Sequence, residues 1–248
     1  MNRLKAAGIH LLISFIIVTT VLATMYLLWY PNEYFALMGG QKLIVLLAGV
    51  DVFLGPLLTL VVFKSNKKNL RFDLFCIGIV QIAALSYGVY VMFESRPIFT
   101  VFNKNKFQIA AVVDITPEEL AKAKNPHWKK LSITGPKLVA IGIPDQNNKL
   151  EAIFAEVASS NAYRYPRLFD QYNKHRDEVI KSGEPLTKLS EVSVENKSVI
   201  DRFIKKSKRL ESDFVCLPIT SELAEMTVIV DAKTGDFIEI INAKKKQP

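Results

Sequence analysis

The chain has 248 residues, half of them hydrophobic, with 32 basic against 24 acidic side chains and a mean hydropathy of +0.19. Residues 1–96 hold only 8 basic and 4 acidic residues, gathered into short gaps, whereas residues 97–248 hold 24 and 20. A soluble domain spreads charge over every element, so an ordinary soluble fold is excluded for the first part, which reads as membrane. The two cysteines, Cys76 in an apolar run and Cys216 far downstream, exclude a disulfide framework.

Three apolar runs follow in chain order, over residues 8–30, 43–63 and 74–93. At a rise of about 1.5 Å per residue each can cross a hydrocarbon core of about 30 Å, so three transmembrane helices are expected. Arg3 and Lys5 precede the first run, Lys42 alone lies between the first two, and Lys64, Lys67, Lys68 and Arg71 crowd the next gap. Basic residues stay inside, which puts the N-terminus in the cytoplasm and everything after Glu94 outside. In a Gram-negative cell that is the periplasm, with the chain a multi-pass protein of the inner membrane. Read as a signal peptide, the first run is too long and lacks an A-x-A site, and its removal would leave the later domain on the same side.

Two domains are thus expected, a membrane domain over 1–96 and an exported α+β domain over 97–248. Residues 97–102 and 107–115 are rich in Ile, Val and Phe around the turn Asn103-Lys104-Asn105 and predict a β-hairpin. Thr116-Pro117-Glu118-Glu119 has capping-box spacing with proline at the first helical position, predicting a short helix to about Lys124. A strand is expected over 137–143 and a helix over 149–158, where Leu150, Ile153, Phe154 and Val157 share a face. Residues 194–210 predict an amphipathic helix with Val199, Ile200, Phe203 and Ile204 on one side and Lys205, Lys206, Lys208 and Arg209 mostly on the other. Strands over 214–219, 226–230 and 237–241 close the chain, the last two joined by a turn with Gly235 at a left-handed position.

Nothing in the residue spacing announces chemistry. The eleven glycines never fall in a dinucleotide or P-loop pattern, and His10, His127 and His175 do not approach zinc-ligand spacing with the cysteines. There is no GxSxG, and Cys216 lies in an apolar strand as a packed thiol. Asp231 and Asp236 flank a turn without the alternating acids of a calcium loop. No catalytic residue, metal site, cofactor or small-molecule substrate is therefore assigned.

Asp51 stands out, eight residues into a span entered from outside and so about 12 Å deep, where a charge is costly. Two readings stay open, a carboxyl that holds the helices together and a contact for a partner. Counting depth from the inside puts Thr19, Thr20 and Ser86 at a comparable level as expected partners, with Gln81 deeper toward the cytoplasm. Gly55-Pro56 loosens the same helix, and Gly78, Ala83, Ala84 and Gly88 offer a small-residue surface on the third span. Asp51, Gly55, Pro56, Gln81, Ser86 and Gly88 are thus candidates for an intramembrane groove able to receive another helix. Lys205, Lys206, Lys208 and Arg209 form a candidate basic surface, either solvated or open to anionic lipid or an acidic partner. The exported location excludes nucleic acid.

The segments Asp51-Val-Phe-Leu-Gly-Pro-Leu-Leu-Thr-Leu60, Lys68-Asn-Leu-Arg-Phe-Asp73, Gln81-Ile-Ala-Ala-Leu-Ser-Tyr-Gly88, Arg96-Pro97 and Thr134-Gly-Pro136 resemble the type IV pilin accessory proteins of the TfpX/TfpZ kind. The resemblance is strongest from Asp51 to about Phe102, and past Gly142 only the general layout matches. It implies an inner-membrane, non-enzymatic factor that supports the stability, assembly or surface display of a cognate major pilin. A membrane-anchored sensor is the competing class; it would need an unseen partner, since only a short tail and the loop 65–73 face the cytoplasm.

Overall fold

A computed structural model describes residues 2–64, 68–142, 153, 157 and 159–244. Helix α1 (Arg3–Thr24) starts where the Asn2 side chain accepts from the Lys5 amide, and it widens into a π segment at Met25–Trp29. A short helix α2 (Tyr34–Leu37) follows, then α3 (Gly40–Ala48), a second π segment (Gly49–Leu54), α4 (Gly55–Val62) and α5 (Leu70–Glu94). Among the described residues two helices, Arg3–Trp29 and Leu70–Glu94, are long and apolar enough to cross a membrane, rather than the three expected. The middle run is helical but divided by its π segment, because Pro56 has no N–H with which to continue the ladder.

The chain divides into two compact units. The helical unit holds Met1–Trp29 and Gly39–Ser95. In it α1 buries one ridge, Ala6, Ser14 and Val18 with His10 half-buried, all four residues apart. Leu11, Leu12, Phe15, Ile16, Phe72, Phe75, Val80, Ile82 and Tyr90 of α1 and α5 stand exposed.

The second unit holds Tyr30–Met38 as well as Arg96–Pro248. The first strands are β1 (Pro97–Asn103) and β2 (Lys106–Ala111), an antiparallel hairpin as expected, followed by α6 (Pro117–Ala121), whose cap Thr116 accepts from the Glu119 amide. Strand β3 (Lys137–Ile141) agrees with the expected position, while the helix expected over 149–158 lies almost wholly outside the described residues. Then come β4 (Phe169–Gln171), α7 (Arg176–Ser182), β5 (Glu184–Pro185), α8 (Leu186–Ser190) and the expected basic helix α9 (Val194–Ser207), capped by Ser193. Strands β6 (Phe214–Thr220), β7 (Glu225–Asp231) and β8 (Phe237–Ile241) finish the chain, with Gly235 at φ +70° in the last turn. Together these elements make the unit α+β.

The sheet has the order β4-β3-β1-β2-β6-β7-β8, with β5 also pairing β6. Strands β1 and β3, and β2 and β6, are parallel, and the other pairs are antiparallel. Side-chain alternation places core clusters on both of its faces. Leu217, Ile219, Met226, Val228 and Val230 pack on one face with Phe102, Phe107, Tyr172 and Val179, and Phe214, Cys216, Ile229 and Ile241 pack on the other against α8 and α9. Leu37 belongs to the first cluster, so the connection after α1 is built into the core of this unit.

Candidate functional site

The Asp51 region is organised by one missing hydrogen-bond donor. The Gly55 amide bonds the Val50 carbonyl, a π-type step of five residues. The next step would pair residue 56 with the Asp51 carbonyl, and Pro56 cannot donate. Gln81 of α5 supplies the donor instead, its Nε2 lying 3.2 Å from the Asp51 carbonyl oxygen. Gly55 makes the room, since a Cβ there would stand 2.1 Å from Gln81 Nε2. Asp51, Gly55-Pro56 and Gln81 are therefore parts of one device that repairs a break in the helical hydrogen-bond ladder.

Around it other polar groups converge. Asp51, Gly55 and Thr59 lie four residues apart on one face and all are buried, Asp51 to 4% exposure. His10 Nδ1 of α1 meets Thr59 Oγ1 at 2.5 Å, and Ser14, one turn on, is also buried. Asp51 Oδ2 is buried without a hydrogen-bond partner among the described residues. The partners expected from depth are elsewhere: Thr19 and Ser86 are exposed, and Thr20 donates to the Ile16 carbonyl of its own helix. Depth alone ignores which way a helix face turns. Gly88 and Met92 are the buried residues of α5, whereas Ala83 and Ser86 point outward, so the small-residue surface is split between two faces. His10, Ser14 and Thr59 were not singled out in the sequence, although the spacings 10/14 and 51/55/59 carried the signal.

The basic helix divides likewise. Lys206 pairs with Glu239 at 2.7 Å, and Arg209 reaches Asp231 at 2.8 Å while its guanidinium lies 4.6 Å over the Phe214 ring. Lys205 and Lys208 are exposed and make no ion pair among the described residues. Lys208, at φ +56°, ends the helix rather than extending it to residue 210. Two of the four basic candidates thus brace the fold and two face outward.

Burial opposes ionisation of Asp231, but the Thr234 and Lys233 amides and Arg209 outweigh it and hold the carboxyl at about 2. A depressed carboxylate contributes its stability above its unfolded value and loses it as pH falls through the folded one. Asp231→Asn is therefore expected to lower unfolding free energy at neutral pH by about 1–2 kcal/mol, with the difference from wild type vanishing as pH drops from about 4 toward 2. Denaturant titrations across that range measure it.

These arrangements can be set beside known proteins. The family profile described as fimbrial assembly protein FimB matches residues 1–39. Over 232 residues the chain is 28% identical to the fimbrial assembly protein of serogroup E1 of Dichelobacter nodosus, covering 92% of this chain and 90% of that one. Against the protein of serogroups C1 and C2 of the same organism it is 35% identical over 121 residues, 48% of this chain and 92% of that relative. The chain belongs to the fimbrial assembly protein family. It is also 27% identical over 232 residues to the fimbrial assembly protein of serogroup I of the same organism. No solved structure matches it.

Proposed function

We propose that this protein is a non-enzymatic accessory factor for type IV pilus biogenesis, of the TfpX/TfpZ kind, that binds a cognate major pilin in the inner membrane. The observation that carries the reading is the likeness to fimbrial assembly proteins over nine tenths of both chains.

In this reading the chain crosses the membrane three times, with its N-terminus in the cytoplasm. The exposed apolar faces of α1 and α5 support it, since the core helix of a soluble protein would bury them. So does the place of Tyr30–Met38, which folds with the C-terminal unit. Residues 39–95 leave that unit and return to it, so they cross a bilayer an even number of times, with 40–62 as one crossing and α5 as the other. The C-terminal unit is then periplasmic.

The helical unit receives the apolar helix of membrane-stored pilin, and the periplasmic unit contacts the pilin head. Two weak contacts on one chain act as a stronger one. Photoreactive residues placed at Ala83, Ser86 and Lys205, all facing outward, are expected to trap pilin in piliated cells. Capture from the span positions supports the intramembrane groove, and capture from Lys205 alone leaves recognition to the periplasmic unit. Capture from none removes the proposed contact surfaces and favours a sensor role. With the groove in use, Asp51→Ala lowers capture by roughly tenfold, about 1.4 kcal/mol, at unchanged protein abundance; loss of the protein itself marks Asp51 as structural.

A further inference from the structure

We infer that the loop 131–135, with Val113, is a membrane-surface contact of the periplasmic unit that inserts its apolar side chains into the lipid interface. The inference rests on the membrane reading above and assigns a surface that reading leaves open.

Ile133 is 62%, Val113 72% and Leu131 37% exposed. Their position follows from chain connectivity. Arg96, two residues beyond the end of α5, is buried and donates from Nε to the Ser132 carbonyl at 3.1 Å. Its own carbonyl accepts from the Val112 amide at 3.2 Å. Gly135, at φ +72°, lies against Pro31, two residues beyond the end of the Met25–Trp29 segment; a Cβ on it would stand 3.0 Å from Pro31 Cγ. The loop is thus bonded at one point, and packed at the other, to the residues where the chain leaves two apolar helices. A segment held at both exits lies at the level of the bilayer surface, and apolar side chains exposed there meet lipid rather than water.

The flanking charge suits the same occupant. Lys129 and Lys130 precede the loop and are exposed, as expected beside anionic headgroups. Lys137 Nζ donates to the Lys130 carbonyl at 2.6 Å and fixes the approach to the loop. By contrast, β6 runs parallel to β2 with Ile219 beside Phe107, so Leu210, ahead of β6, lies at the end of the sheet away from Ala111 and Arg96. Leu210 is equally exposed, at 71%, and serves as an internal control.

The full chain is placed in vesicles of phosphatidylethanolamine and phosphatidylglycerol, with an environment-sensitive fluorophore on Ile133→Cys or Leu210→Cys in a Cys76→Ser background, or on native Cys76. Cys216 is buried, and Cys76 is exposed on α5. A lipid carrying a quencher just below the headgroup is expected to remove about half of the emission at position 133 while leaving position 210 unchanged. Val113→Cys repeats the measurement should the first variant fold poorly. If Cys76 responds to lipid quenchers but 133 and 113 behave as 210 does, the inference is overturned and the membrane reading stands. If Cys76 does not respond either, the membrane reading falls and takes this inference with it.

Discussion

Leu37→Ala is expected to lower the stability of the C-terminal unit by about 2–5 kcal/mol, although residue 37 lies nearly sixty positions before that unit's main segment. The side chain is fully buried among Phe102, Phe107, Leu217, Ile219 and Val228, so truncation leaves a cavity in the principal core. The backbone is held as well, since Ser221 Oγ donates to the Leu37 carbonyl at 2.6 Å and the Tyr34 hydroxyl meets Thr100 Oγ1 at 2.7 Å. Burial pushes the Tyr34 hydroxyl up to about 12, so it stays a neutral partner across the physiological range. By the same argument a chain begun at residue 97 exposes the slot that Leu37 fills, and it is expected to unfold at markedly lower temperature than one in which residues 30–38 are supplied by fusion. Thermal unfolding followed by limited proteolysis compares the two. Equal melting would show that the α2 connection is an ornament to the domain rather than part of its core.

Gln81→Leu is expected to destabilise the helical unit by about 1–3 kcal/mol, because the Asp51 carbonyl then loses the donor that replaces the missing Pro56 amide. Leucine has nearly the same size, so the loss reports the hydrogen bond rather than a void. Gly55→Ala breaks the same bond by another route, its new methyl displacing the Gln81 amide. The two substitutions should therefore be non-additive, the double variant being scarcely worse than either alone. Unfolding of the full-length protein in detergent, followed by helical circular dichroism, gives the cycle. Full additivity would mean that Gly55 and Gln81 act separately. A selective loss of pilin capture in either variant, at unchanged unfolding, would move the device from scaffold to recognition.

Sequence patterns determined the elements whose signal is local. The apolar runs of α1 and α5, the hairpin at 97–111, the Thr116 cap, the amphipathic face of α9 and the closing turn at Gly235 depend on neighbours within a few residues, and all can be read from spacing. Asp51, Gly55, Pro56 and Gln81 could each be singled out as unusual for an apolar run, but not assembled into one arrangement. Depth in a span is linear in residue number, whereas contact depends on rotation about the helix axis, and a π segment changes that rotation. Hence Gln81, rather than Ser86 or Thr20, meets Asp51, and His10 joins through Thr59. The place of Leu37 and the pairing of Arg209 with Asp231 were equally out of reach, since each joins segments far apart in the chain. Local propensity tells a residue which element to join; only packing of the whole chain decides which apolar slot a loop fills and which of its charges remain outside.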